Sequence, residues 1–171
     1  VGATVDDSAI SYLRPETAQG MFVNYKNIID SYHPKLPFGM AQIGKAFRNE
    51  ISPGDFTFRS REFEQMEIEY FVKPAEWEQW FEYWLEQQKE WLKEIGIFEQ
   101  SVFVEISAED RAHYSKRSID TEYKFPFGQK ELWGLAYRTD FDLSAHAGHS
   151  GAELSMLDET GARVTPHVIE P

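Results

Sequence analysis

Apolar side chains recur at helical spacing in two stretches of the chain. Over residues 14–32, Met21, Phe22, Tyr25, Ile28, Ile29 and Tyr32 fall on one helical face, and Arg14-Pro15 puts a proline at the favoured first position. The second stretch is longer. Trp77, Trp80, Phe81, Trp84, Leu85, Trp91, Leu92 and Ile95 form one stripe over residues 74–95, with Pro74 at its start and Gly96 just past its end. The opposite face is rich in Glu and Gln, so these tryptophans are expected to pack a core rather than stack on bases.

Elsewhere the period is two. Gln42 to Glu50 and Phe58 to Val72 read as strands, and the segment between them carries a Pro-Gly turn signal, which predicts an antiparallel hairpin with a long tip. His33 to Gly39 reads as a loop, Val102 to Ile106 as a short strand, and Ser107 to about Ser118 as a helix with Ser107 and Asp110 in cap positions. Leu132 to Leu143 and Val164 to Ile169 are further strand candidates, separated by a loop around Ala145 to Gly151. A long hairpin, with strands and helices mixed rather than regularly alternating, predicts an α+β domain: an antiparallel sheet flanked by helices.

Composition narrows this picture. A length of 171 residues fits one domain, and 42% apolar with 15% aromatic residues suffices for a core. No apolar run approaches the roughly 20 residues of a membrane helix. With no cysteine, a disulfide framework, a cysteine zinc site and a thiol nucleophile are excluded, and a reducing compartment fits. The net charge of −12 argues against a general nucleic-acid coat, so any RNA contact needs a local basic patch. The five histidines are scattered and supply no set of about four zinc donors. The chain opens at Val1 and stops at Pro171 directly after a predicted strand, so it is expected to be a piece of a longer one.

The hairpin carries the candidate chemistry. Alternation puts Glu64, Met66, Ile68 and Tyr70 on one face of its second strand, a face that reads as compatible with a core. The other face gathers Arg59, Arg61, Phe63, Gln65, Glu67 and Glu69. On the first strand Arg48 and Glu50 share a face, with Ile43 and Phe47 opposite. Guanidinium forks suit phosphates, an aromatic ring offers a platform for a base, and carboxylates accept from ammonium or amino groups or hold Mg²⁺. A solvated polar face would show the same alternation.

Phe47-Arg48-Asn49-Glu50, a loop, and then Arg59-Ser-Arg-Glu-Phe63 resembles motif 2 of the class II aminoacyl-tRNA synthetases. Arg14-Pro-Glu-Thr-Ala-Gln-Gly20, Glu67-Ile-Glu69, Tyr123-Lys-Phe-Pro-Phe-Gly128, Arg138-Thr-Asp-Phe-Asp-Leu143 and Val168-Ile-Glu-Pro171 extend the likeness, in order, to the homodimeric type of glycyl-tRNA synthetase. The resemblance implies part of a class II catalytic domain over residues 1–171, with the motif 2 hairpin at about 42–72. Motif 1, motif 3 and the anticodon-binding domain are absent from this sequence.

The resemblance also implies roles. Arg48 would grip the α-phosphate of ATP and the glycine carboxylate, Glu50 would read the adenine amino group, Phe63 would stack on adenine, and Arg59 would reach the γ-phosphate. Glu16 and Glu67 would bind the ammonium of glycine, and Arg138 would line the same site. Glu131 and Glu170 are expected near Mg²⁺, with Glu131 on the nucleotide and Glu170 near glycine. The implied partners are glycine, ATP, tRNA(Gly) and a second copy of the chain, in the cytoplasm. Two other readings remain: a non-catalytic synthetase-like module that binds RNA or protein, and a class II synthetase for another small amino acid. Taken alone, Glu16 would be ordinary compensation of a helix dipole.

Overall fold

The structure, a computed structural model, describes residues 10–171. Helix α1 (Ala18–Tyr32) buries Ala18, Met21, Phe22, Tyr25 and Ile29, the face predicted from their spacing. It starts later than Pro15 suggested. Residues 10–17 have no regular structure, and the helix begins only after Thr17. At its other end His33 turns left-handed (φ 47°) and returns its N–H to the carbonyl of Ile29.

Strands β1 (Phe38–Phe47) and β2 (Glu62–Val72) pair antiparallel in unbroken register from Phe38–Phe71 to Phe47–Glu62. They are followed by α2 (Trp77–Glu94), β3 (Ser101–Glu105), β4 (Arg117–Phe125), β5 (Gly128–Thr139) and α3 (Phe141–Ser150). A small ribbon of β6 (Met156–Leu157) and β7 (Arg163–Val164) precedes β8 (His167–Glu170). The main sheet has the order β1-β2-β8-β5-β4-β3, and every pairing in it is antiparallel. The α+β class is as expected.

Strand β8 lies between β2 and β5 and pairs with Tyr70–Val72 of one and Ala136–Thr139 of the other. The remaining lengths of β2 and β5 help to line one cleft.

Each face of the sheet has its own core. On one, Phe22, Tyr25 and Ile29 of α1 pack with Phe71, Val168 and Leu143 of α3. On the other, Phe81 and Leu85 of α2 pack on Val72, Leu135, Tyr137 and Ile169. Large apolar side chains removed from water on both faces are the main favourable term in such a fold.

Four expectations are corrected. Residues 107–116 form turns rather than a helix: Ser107 caps only a single turn, its carbonyl accepting from Asp110 and Arg111 N–H, and from Arg117 the chain is a strand. The strand predicted to run to Leu143 ends at Thr139, and the expected loop at 145–151 is mostly α3. The α2 stripe is narrower than its tryptophans suggest. Trp91 and Ile95 are about half exposed, and Gln88 takes a buried place between Leu85 and Leu92. Finally, both faces of β2 are packed towards its end: Tyr70 lies against Trp80 and Trp84 of α2, while Glu67, Glu69 and Phe71 are buried on the other face, and Met66 is 64% exposed.

Candidate active site

A cleft of about 580 Å³ is lined by residues of β2, β5 and the end of β8 together with the segment before α1. Glu16, Arg48, Glu67, Glu131 and Glu170 all line it, five of the residues singled out in the sequence. They come from the segment before α1, the hairpin, β5 and β8, so only the folded sheet brings them together.

Glu67 is buried against the start of α1. Thr17 donates to its Oε2 through both its backbone N–H (2.7 Å) and its hydroxyl, and Gln65 Nε2 donates to Oε1 at 2.8 Å. Thr17 occupies the N-cap position, yet its hydroxyl makes no capping bond within the helix. A carboxylate borrowed from β2 takes that place at the positive end of the helix. Glu16 lies just before the helix rather than in its first turn. It faces the cleft and accepts from Gln19 Nε2 at 3.2 Å.

Arg138 lies behind Glu170 and is 2% exposed. Its Nε and Nη2 form a fork onto Asp142 (2.8 and 3.0 Å), and Nη1 donates to Glu170 Oε2 at 2.7 Å. Its guanidinium carbon sits 3.9 Å from the centre of the Tyr114 ring and 5.5 Å from that of Phe22. Burial alone would lower the pKa of Arg138, but the bonds to Asp142 and the charge of Glu170 outweigh it and hold the cation firmly. Burial pushes the Glu170 carboxyl up while Arg138 pulls it down, with a net rise. The Tyr114 phenol is likewise raised, by burial and then by Glu170, and so stays protonated.

Elsewhere in the cleft the chemistry differs. Arg48 reaches over the Phe63 ring (5.2 Å to its centre), and its Nε donates to the carbonyl of Pro15 at 3.0 Å. The neighbouring turn is tied by Arg61 Nε to the carbonyl of Glu50 (3.0 Å), and the hairpin tip by paired backbone bonds between Gly54 and Arg59. Glu131 is pushed up by burial and by Asp120, against the pull of Arg48 and Arg59. Asp120 and Glu131 approach each other over Gly134, whose missing side chain leaves the room. Among the described residues no three acidic or histidine side chains converge as a metal site. Magnesium, however, is commonly held by one or two carboxylates and completed by substrate phosphates and water.

Glu50, Arg59, Phe63 and Arg138 do not line the cleft itself. Phe63 and Arg138 stand behind residues that do, and Arg59 belongs to the hairpin tip. Three contributors escaped sequence reasoning. Asp142 fixes Arg138, Tyr114 lies against it, and Gln19 links Glu16 to Asp142 (3.3 Å) and to His146 (3.1 Å). Arg138 lies at the end of β5 and Asp142 in the first turn of α3, so no single periodicity pairs them in the sequence.

The sequence pattern of the tRNA synthetase class II core domain (G, H, P, S and T) matches residues 4–170. Among curated proteins, the chain is similar to a glycine–tRNA ligase of Geobacillus thermodenitrificans, with 54% identity over 99% of this chain and 37% of that protein. It is 55% identical to one of Clostridium acetobutylicum over the same shares. To one of Thermobifida fusca it is 52% identical, over 100% of this chain and 38% of the relative. The chain thus spans little more than a third of the length of these relatives.

Proposed function

The chain belongs to the class II tRNA synthetase core domain family, and on that premise we propose that it is the part of a glycine–tRNA ligase that builds glycyl-adenylate from glycine and ATP. One observation carries the reading: a single cleft combines carboxylates with an arginine laid on an aromatic ring. Glu16, Glu67 and Glu170 line it, suited to an ammonium group. Arg48 also lines it and lies over Phe63, suited to a nucleotide phosphate and base.

The reaction then follows from position. Glycine is held by its ammonium on Glu16 and Glu67, and Glu170 with Arg138 behind it sets that end of the site. Its carboxylate attacks the α-phosphorus of ATP, a new oxygen–phosphorus bond forms, and pyrophosphate leaves. Charge builds on the phosphoryl oxygens, where Arg48 stabilises it without proton transfer. Phe63, Glu50 and Arg59 stand outside the cleft lining, and the resemblance alone assigns them the adenine ring, its amino group and the γ-phosphate. Glu131 and Asp120 would hold Mg²⁺, which when bound neutralises phosphate charge. Glu170 is committed to Arg138 through Oε2, so it belongs to the amino-acid end instead.

A glycine site works by exclusion. A pocket closed on the α-carbon penalises an added methyl by about 1–3 kcal/mol through overpacking. The adenylate then passes glycine to the 3′ end of tRNA(Gly), in a homodimer acting in the cytoplasm. The test is exchange of labelled pyrophosphate into ATP. Dependence on glycine, with a loss of about 10²-fold or more in Arg48→Ala, supports the reading. Exchange driven by alanine or serine instead overturns it.

A further inference from the structure

Residues 13–17 have no regular structure, yet they touch both Glu67 and Arg48 of the cleft. Thr17 supplies two of the three donors to Glu67, and the Pro15 carbonyl receives Arg48 Nε. Whatever holds this segment down therefore sets a carboxylate and an arginine at once. Two bonds do so, both through Arg14 and both to β1. Phe47 N–H donates to its carbonyl at 2.8 Å, and its Nε donates to the carbonyl of Lys45 at 2.7 Å.

The Arg14 side chain reaches β1 by lying across Gly44, where a methyl group would collide with its Nη2. Gly44 sits inside an unbroken ladder opposite Gln65, and its φ lies outside the left-handed region. A glycine there costs strand stability, roughly 0.5–1 kcal/mol relative to alanine. Backbone conformation gives no reason for it; the close approach of Arg14 does. Arg14 is itself exposed, and no carboxylate pairs with it among the described residues. Its contribution to overall stability is correspondingly small.

We infer that Arg14, seated on Gly44, is a positioning residue that latches segment 14–17 onto β1 and so sets Glu67 and Arg48 for their substrates. The inference rests on the reading of the cleft given above. Losing the latch frees Thr17 to leave Glu67, a buried carboxylate that then keeps only Gln65, and it removes the carbonyl that aims Arg48. The two halves of the latch act through one contact. Gly44→Ala therefore does to the site what Arg14→Ala does, although it leaves the guanidinium in the chain.

The test is a double-mutant cycle on the full chain, read by calorimetric titration with the non-hydrolysable analogue glycyl-sulfamoyl-adenosine. Arg14→Ala and Gly44→Ala each weaken binding roughly tenfold. The double variant is no weaker than Arg14→Ala, and Arg14→Lys, which still reaches the Lys45 carbonyl, recovers part of the loss. Amide hydrogen exchange supplies a readout without ligand. Thr17 and Phe47 exchange faster in both single variants, while amides of α2 do not. Unchanged affinity in Arg14→Ala, or additive losses in the double variant, overturns the latch. A wild-type chain that binds no analogue overturns the glycine reading instead. Exchange at Thr17 and Phe47 then decides the latch: faster in both variants supports it, unchanged rejects it.

Discussion

Glu69 is completely buried, and neither of its carboxylate oxygens has a hydrogen-bond partner. The register that sets Tyr70 beside Ile169 brings it opposite Glu170 one step on, while Arg138 and Asp142 act on it from β5 and α3. Burial first, and then the charge of Glu170, hold its carboxyl well above the usual range, so it keeps its proton at neutral pH. The sign of the linkage follows. In the unfolded chain this group ionises above about pH 4.3, and from there it increasingly favours unfolding as pH rises towards its folded value. Glu69→Gln is therefore expected to leave the urea midpoint near pH 4 unchanged and to raise it at pH 7.5. Asp142 matters through its fork onto Arg138. Asp142→Ala leaves Arg138 buried with Glu170 alone, at a cost of about 3–5 kcal/mol, and urea unfolding at neutral pH measures it. Neither residue could be weighed from alternation, because their partners lie 28 or more residues away or across a helix start that read as strand.

At the scale of elements, the hairpin tip is held by aromatic packing rather than by the strand ladder. Phe58 sits 5.2 Å from Phe125 and 5.1 Å from Phe127, two rings at the β4–β5 turn that are themselves stacked. Next to it Asp55 and Phe56 take left-handed backbone angles (φ 52° and 59°), and Phe56 is 96% exposed. Strained, exposed turns persist only when their surroundings hold them. Phe58→Ala is expected to cost only about 1–2 kcal/mol overall while sharply speeding protease cleavage within residues 52–57. Cleavage at the wild-type rate would contradict this packing. Helices α1 and α2 and the hairpin were legible because each buries a periodic apolar face. Strand β4 was not, because it places Thr121 and half-buried polar residues where a plain strand has apolar ones. Helix α3 escaped because ten residues containing glycine and two histidines carry little amphipathic signal.

For the whole molecule, the decisive feature is an antiparallel sheet covered by α1 and α3 on one face and α2 on the other. Among the described residues no helix is long and apolar enough to cross a membrane. The resemblance named the arginines and carboxylates, and the fold brings several of them together: β2, β5, β8 and the segment before α1 all contribute to one cleft. The central claim is that this cleft takes glycine at its carboxylates and a nucleotide at Arg48. Calorimetric titration with glycyl-, alanyl- and seryl-sulfamoyl-adenosine tests it most directly. The account predicts that only the glycyl compound binds tightly and that Arg48→Ala and Glu67→Ala abolish this. Equal binding of all three would contradict the assignment of the carboxylates to glycine.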